Sequence, residues 1–501
     1  MDIIKYKKPN LTTLILSHNC HSLKRKLAFP PFFLKGAREI YSSLSQILRA
    51  SRCSKLLIIT LLLFLLSPYL IAQSPIMPSG LEETLIFPYQ TKHVHSPTMV
   101  ELPNGDLLTA WFQGSGERWA DDVQIMGSRL TSGDTAWSAP FLMADKPGFP
   151  DVNPVLFLDP QQRLWLLWYT VLANQWETSL LTYRISEDYS SSYAPKWNWQ
   201  NNLLVKPGNK TERGIQPGDS FVASVQQQMN EYESYWQNEL LPQLPEDEAA
   251  QQQKLWLPFR RYVDSLAQGE NMLRRGRLLS DDPPTDTTLG YPISRRIGWQ
   301  TKNKPFMLDS RIIIPLYSDG LESSLFAYTD DGGDHWQFSN PVVGGIGIQP
   351  TIAQQQDGTL VAYLRDNGPP PQRMQRTTST DRGETWTIAK DSNLPNPGAG
   401  FDMVTLASGE WLIVYNDTED GRHSLAVSLS DDEGKSWQWT KHLELDQRGE
   451  QATQSHYPSV IQGEGGRVHI VYSYHRRDQE QTAKTIKYVS FSPDWIKQVS
   501  P

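Results

Sequence analysis

TDDGGDHW, Thr329 to Trp336, returns as STDRGETW at Ser379 to Trp386 and as SDDEGKSW at Ser430 to Trp437, the starts lying 50 and 51 residues apart. The shared pattern is Ser/Thr-x-Asp-x-Gly-x-x-Trp. A fixed period near fifty residues, each unit carrying a polar Gly turn and a Trp, marks a repeat fold of the propeller kind. Asp331, Asp381 and Asp432 can accept backbone N–H bonds inside a hairpin turn, and Gly333, Gly383 and Gly434 supply positive φ. The tryptophans can then bury between neighbouring sheets. These boxes are read as structural clips that announce a fold and carry no chemistry.

Working outward, a second repeat appears, in which an apolar strand opens, often at a proline, meets a polar turn and returns aromatic-rich. Six copies run from His95 to Phe112, Asn153 to Thr170, Lys304 to Asp319, Gln349 to Asp366, Phe401 to Asp417 and Tyr457 to His475. Turn chemistry at Asn104-Gly105, Asp357-Gly358 and Ser408-Gly409 makes each a hairpin. Six hairpins with following strand pairs predict an all-β, six-bladed propeller over 85–497. The spacing breaks once, at 208–300. There Phe221, Val225, Met229, Tyr232, Trp236 and Leu240 recur at helical intervals until Pro242 and Pro245, and a second helix is expected from Glu246 to Arg275, interrupted near Pro258. This insertion is read either as a helical hairpin on the propeller's side or as a lid over its active face.

Composition agrees with strands and turns: 501 residues include 17 Trp, 20 Tyr, 33 Gly and 35 Pro. Residues 1–55 hold eleven Lys/Arg against two Asp/Glu, whereas the remainder is strongly acidic, which argues against a nucleic-acid partner. Cys20 and Cys53 both precede the repeats, so the body has no disulfide or thiolate metal site. The apolar run Leu56 to Ala72, after Arg49, Arg52 and Lys55, fits a signal-peptide core ending in IAQS, or a signal anchor. Residues 1–73 are therefore expected to export the chain, with membrane contact confined to that segment. Neither a metal constellation nor a Gly-rich phosphate loop is evident, so no cofactor is expected.

In such hairpins the start of the first strand and the end of the second share one end, opposite the boxes. The residues converging on a central funnel are then His95, Asn153, Lys304, Gln349, Asp402 and Tyr457, joined by Gln113, Arg365, Asp417, His475 and Arg476 at hairpin ends and by Arg422 before its strand. Arginines beside a tyrosine suit a carboxylate, which their planar donors grip in a fork.

Residues from about 90 to 495 resemble the sialidase (neuraminidase) superfamily of propellers with Asp boxes. The resemblance implies that Arg365 in AYLRDN and Arg422 in GRHSLAVSLSDDEG bind a substrate carboxylate. It makes Tyr457 in YPSVI the nucleophile, and Asp121 or Asp122, with Glu117 nearby, the acid/base. Two positions depart from the pattern: His95 stands where an arginine is expected, and Gln349 where a glutamate would polarise the tyrosine. Arg373, Arg376 or Arg476 is then needed to complete a three-arginine clamp. The expected activity is exo-hydrolysis of a terminal acidic sugar, sialic acid or a related carboxylated sugar, from a glycan. The alternatives are a uronate lyase using His95 and Tyr457 as base and acid, and a carbohydrate-binding propeller without turnover.

Overall fold

Each of the six hairpins grows into a four-stranded antiparallel sheet, in a computed structural model that describes residues 80–191, 193–205, 220–266, 297–368, 370–478 and 481–498. The innermost strands of blades 1 to 6 are His93–Glu101, Asp151–Leu158, Phe306–Leu308, Gly347–Gln354, Asp402–Thr405 and Gln454–Gln462. The inner strands of blades 1, 2 and 6, and of blades 4, 5 and 6, pack on their neighbours, and Val94, Val152 and Val460 are completely buried. The ring is closed by Glu82–Leu85, three residues ahead of the expected start. It pairs with Gln481–Phe491 as the outermost strand of blade 6, Glu82 opposite Ser490 and Leu85 opposite Lys487. A sheet closed in this way leaves no long edge exposed.

Four inner strands share a feature that aims side chains at the axis. Ser96, Asn153, Gln349 and Tyr457 each precede a proline, each have φ between 48° and 55°, and each lie where the register slips against the next strand. Proline disfavours the helical conformation in the residue before it, and the bulge supplies an extra residue to re-aim. Positive φ at Gln349 and Tyr457 is a backbone cost of the kind that persists at functional sites.

The boxes occupy the turns between third and fourth strands. In the blade 4 box Asp381 Oδ1 accepts from Ser379 Oγ at 2.8 Å and from Thr385 N at 2.9 Å, while Ser379 Oγ accepts from Gly383 N at 2.9 Å. Asp331 and Asp432 repeat the arrangement. Trp386 is buried and stacks on Phe326 with ring centroids 4.0 Å apart, whereas Trp336 and Trp437 are half-buried. Asp381→Ala should therefore lower stability by about 1 kcal/mol, since the turn is solvent-exposed and water replaces part of what is lost. A denaturant titration measures this, and the turnover of the folded fraction should be unchanged.

The insertion is helical where it is described. Helix α1, Ser220–Tyr235, continues through a wider turn at Trp236–Leu240, and α2 spans Glu246–Leu266 with Pro258 inside it. Phe221, Val225 and Met229 join the core that also holds Trp299, Leu325 and Val343. Gln228 fixes the docking, donating to Trp386 O at 3.0 Å and accepting from Val343 N at 2.9 Å. The hairpin thus packs on the flank of blades 3 and 4, and α2 reaches the end of the blade 4 hairpin through Gln252, which donates to Pro370 O. The second helix is described as far as Leu266; the expected extension to Arg275 lies outside the described residues, as do the leader and the signal segment. No helix among the described residues is long and apolar enough to cross a membrane.

Asp391 lies at this contact, its N–H donating to Tyr235 Oη at 3.3 Å. Burial pushes its carboxyl up to about 7, against the opposing pull of Arg373. A raised carboxyl stabilises the fold fully below its ordinary value near 4, and that contribution is lost as pH rises through about 7. Asp391→Asn should accordingly match the parent in acid and exceed it at pH 8 by on the order of 1 kcal/mol, as thermal melts at the two pH values would show.

Candidate active site

The floor of the funnel is built on Lys302-Asn303, just ahead of blade 3. Lys302 Nζ donates to Pro458 O at 2.7 Å, Phe401 O at 3.0 Å and Asn303 Oδ1 at 3.0 Å. Asn303 Nδ2 donates to Gln349 O at 2.9 Å and Pro350 O at 3.0 Å. Two neighbouring side chains therefore clamp the bulges that present Gln349 and Tyr457. Burial lowers the Lys302 amine to about 7, with Asp402 pulling the other way. Lys304 and Asp402, both expected to face the funnel, instead pair at 2.5 Å, and Asp402 Oδ2 also accepts from Val460 N at 2.9 Å. Their charges hold three blades together.

Tyr457 stands on this floor, 8% exposed. Its hydroxyl oxygen accepts from Arg365 Nη1 at 2.7 Å and lies 3.2 Å from Gln349 Nε2. Gln349 Nε2 also reaches Tyr317 Oη at 3.3 Å, and Asn153 Nδ2 donates to Tyr169 Oη at 2.8 Å and approaches Tyr317 Oη at 3.4 Å. A polar chain thus crosses from blade 2 to blade 6. Arg422 also approaches Tyr457: its Cζ lies 5.6 Å from the centre of the Tyr457 ring, against 5.9 Å for Arg365. Arg422 Nη2 is steadied by Gly398 O at 2.9 Å. Two guanidiniums so placed carry donors beyond those in use, Arg365 Nε being buried with no partner, and a carboxylate has the shape and charge to take them.

The other expected site residues are spread more widely. Asp121 and Asp122 are exposed on the loop after the first hairpin. Asp122 is tied to Ser115 through Oγ at 2.7 Å and N at 2.9 Å, and those bonds hold its carboxyl below the usual range, which suits a turn clamp better than a proton donor. Glu117 pairs with His93 at 3.0 Å; burial pushes its carboxyl up, but the His93 bond and charge outweigh it and leave it lowered. Arg373 pairs with Glu419, Arg376 lies against Tyr363, and the Arg476 guanidinium sits over the Tyr89 ring at 5.1 Å. None of the three is in the hydrogen-bonded group around Tyr457.

Asp319 was not among the candidates, although it ends the third hairpin much as Asp366 and Asp417 end the next two. Burial pushes its carboxyl up to about 6, with Arg365 and Arg118 drawing it back, and it acts on Tyr317. A carboxyl that titrates there can give and take a proton at ordinary pH. Arg118, also missed, lies over the rings of Trp119 and Trp176 at 4.3 and 4.9 Å.

His95 packs on Tyr457, ring centroids 4.2 Å apart, and its Nδ1 lies 3.0 Å from Ser473 Oγ. Burial drives both His95 and His456 well below their ordinary value and takes His475 to about 3, so all three are neutral. Their nitrogens come within 4.8 Å of one another. This departs from the expectation that no metal constellation exists: the ligands converge across the junction of blades 6 and 1, which linear spacing does not reveal.

Residues 105–214 and 218–470 match the family model described as the BNR repeat-like domain. Among curated proteins, the chain is similar to the anhydrosialidase of Macrobdella decora, 30% identical over 120 residues, which is 24% of this chain and 15% of that protein's length. Among solved structures, it is similar to a protein of unknown function from Dyadobacter fermentans, at TM-score 0.53 and 15% identity, covering 83% of this chain and 99% of that one. A Hadza microbial sialidase aligns at TM-score 0.50 and 15% identity over 80% of this chain and 66% of its own. With the family model spanning well over half the sequence and three of the six blades bearing Asp boxes, the chain belongs to the BNR repeat-like family and folds as a six-bladed propeller.

Proposed function

We propose that the protein is an exo-acting glycosidase that removes a terminal carboxylated sugar, sialic acid or a relative, from a glycan. The observation that carries this reading is the Arg365 guanidinium 2.7 Å from the Tyr457 hydroxyl, with the Arg422 guanidinium 5.6 Å from the centre of the same ring. The sugar carboxylate pairs with Arg365 and Arg422, which places the anomeric carbon over Tyr457. Tyr457 gives its proton to water as the substrate seats, and its oxygen forms a bond to that carbon as the glycosidic bond breaks, while Asp319 gives its proton to the leaving oxygen. Water completes the cycle by attacking the same carbon, giving a proton back to Asp319 and releasing tyrosinate, which takes its proton back from solvent. Donors from Arg365 and Gln349 stabilise negative charge on the tyrosine oxygen. Similarity to a protein called an anhydrosialidase supports this reading, as does the leader's fit to export, where such glycans are met. Incubation with glycans ending in sialic or uronic acids should release the free sugar; an untouched panel would refute the assignment.

Gln349→Glu tests the departure beside the tyrosine. The carboxylate would accept from Tyr457 and pair with Arg365, whose Nη1 already lies 3.4 Å from Gln349 Oε1. Sialoside cleavage should rise by about 10-fold or more, as expected of an added base. A second reading, a uronate lyase, draws on the neutral His95 imidazole packed on Tyr457. It would yield an unsaturated product that absorbs in the ultraviolet.

A further inference from the structure

We propose that His95, His456 and His475 form a zinc-binding site in the funnel floor, directly beside Tyr457. The three side chains are 7%, 3% and 7% exposed, and one nitrogen from each lies within 4.8 Å of the others. Their ring centroids are 4.7 Å apart for His95 and His456, 4.7 Å for His456 and His475, and 6.0 Å for His95 and His475. A tetrahedral ion with imidazole nitrogens at about 2.0–2.1 Å sets ring centres roughly 5 Å apart. Closing the site asks the three nitrogens, now within 4.8 Å of one another, to draw together to about 3.3 Å.

The hydrogen bonds leave the right atoms available. His475 Nε2–H donates to Val94 O at 2.8 Å, which leaves the Nδ1 lone pair for a ligand. His95 Nδ1 is 3.0 Å from Ser473 Oγ, itself held by Ser96 N at 3.1 Å, which leaves Nε2. One ring nitrogen fixed by a carbonyl or hydroxyl and the other left open is the arrangement of a metal-ligating histidine. His456 Nδ1 is buried with no hydrogen-bond partner, and an orphaned polar atom in a core is costly without one. A packing role would be served by aliphatic side chains at no such cost.

Charge and donor type narrow the ion. Glu117, paired with His93 at 3.0 Å, supplies a carboxylate around the cluster, against the opposing charges of Lys484 and Arg422. Three imidazoles without an oxygen cage do not suit calcium or magnesium, and zinc takes three histidines with a fourth position open to water. That position would face the funnel beside Tyr457.

The test uses the full chain purified without a polyhistidine tag, stripped with a chelator and titrated with zinc and with cobalt(II). One zinc per chain, a four-coordinate cobalt spectrum, and X-ray absorption of the zinc-loaded protein showing about three imidazoles are the expected results. His456→Gln should weaken zinc binding by more than about 100-fold, since a ligand costs more than the outer-shell partners whose loss costs 10- to 100-fold. A folded chain that takes up neither ion, uptake unchanged in His456→Gln, or an absorption spectrum with fewer than two imidazoles would overturn the proposal. Should His456→Gln fail to fold, the absorption spectrum of the unsubstituted protein decides.

Discussion

Tyr457→Phe is expected to lower kcat by about 10²- to 10⁴-fold, with little change in KM, because it removes the oxygen that meets the anomeric carbon and nothing that grips the carboxylate. The fold should lose only about 1 kcal/mol, the cost of leaving the Arg365 and Gln349 donors short of one acceptor near water. Steady-state kinetics set beside a thermal melt separates the two effects. A fall in kcat matched by an equal fall in folded fraction would make Tyr457 a packing residue, and an unchanged kcat would move the reacting atom elsewhere in the funnel.

Arg365→Met should act on both kinetic constants. Loss of a charge-assisted contact of about 1.5–3 kcal/mol weakens substrate binding by roughly 10- to 150-fold. Because the same guanidinium donates to the Tyr457 hydroxyl at 2.7 Å, kcat should fall as well. Arg422, which is held by Gly398 O and is not among the described residues bonded to the Tyr457 hydroxyl, should mainly change KM when replaced. The contrast between the two arginines is the signature of one guanidinium serving two purposes. Equal effects at both positions on KM alone would argue that the Arg365 contact with Tyr457 is incidental to the chemistry.

How much of this the sequence made legible depends on the range over which each feature is encoded. The boxes are local: a Ser/Thr, an Asp and a Gly within five residues close their own turn, so three boxes and six hairpins were enough to count the blades. That Arg365, Arg422 and Tyr457 would come together was legible for the same reason, since each has a defined place at a strand end. The strand Glu82–Leu85 was not found, because its partner Gln481–Phe491 is nearly the whole chain away and four residues of EETL carry no pattern. The histidine cluster failed similarly, as it exists only where blade 6 meets blade 1. Lys302 and Asp319 were passed over because their importance comes from burial, which turns a common lysine into a clamp on two bulges and a common aspartate into a group titrating near about 6. Lys304 and Asp402 were expected in the site because strand openers were treated alike. Only four of the six openers carry the bulge before proline that turns a side chain toward the substrate, and Lys304 and Asp402 pair with each other instead.

The central claim is that this funnel breaks the bond holding a terminal carboxylated sugar, with the carboxylate on Arg365 and Arg422. Its most direct test is product analysis by mass spectrometry and NMR after the purified chain meets a panel of glycans ending in sialic acid or uronic acid, alongside the same glycans with the carboxyl reduced. The account predicts release of the free acidic sugar from at least one acidic glycan and none from its reduced counterpart. Equal release from the reduced glycan, an unsaturated sugar in place of the free one, or no product from any member of the panel would contradict it.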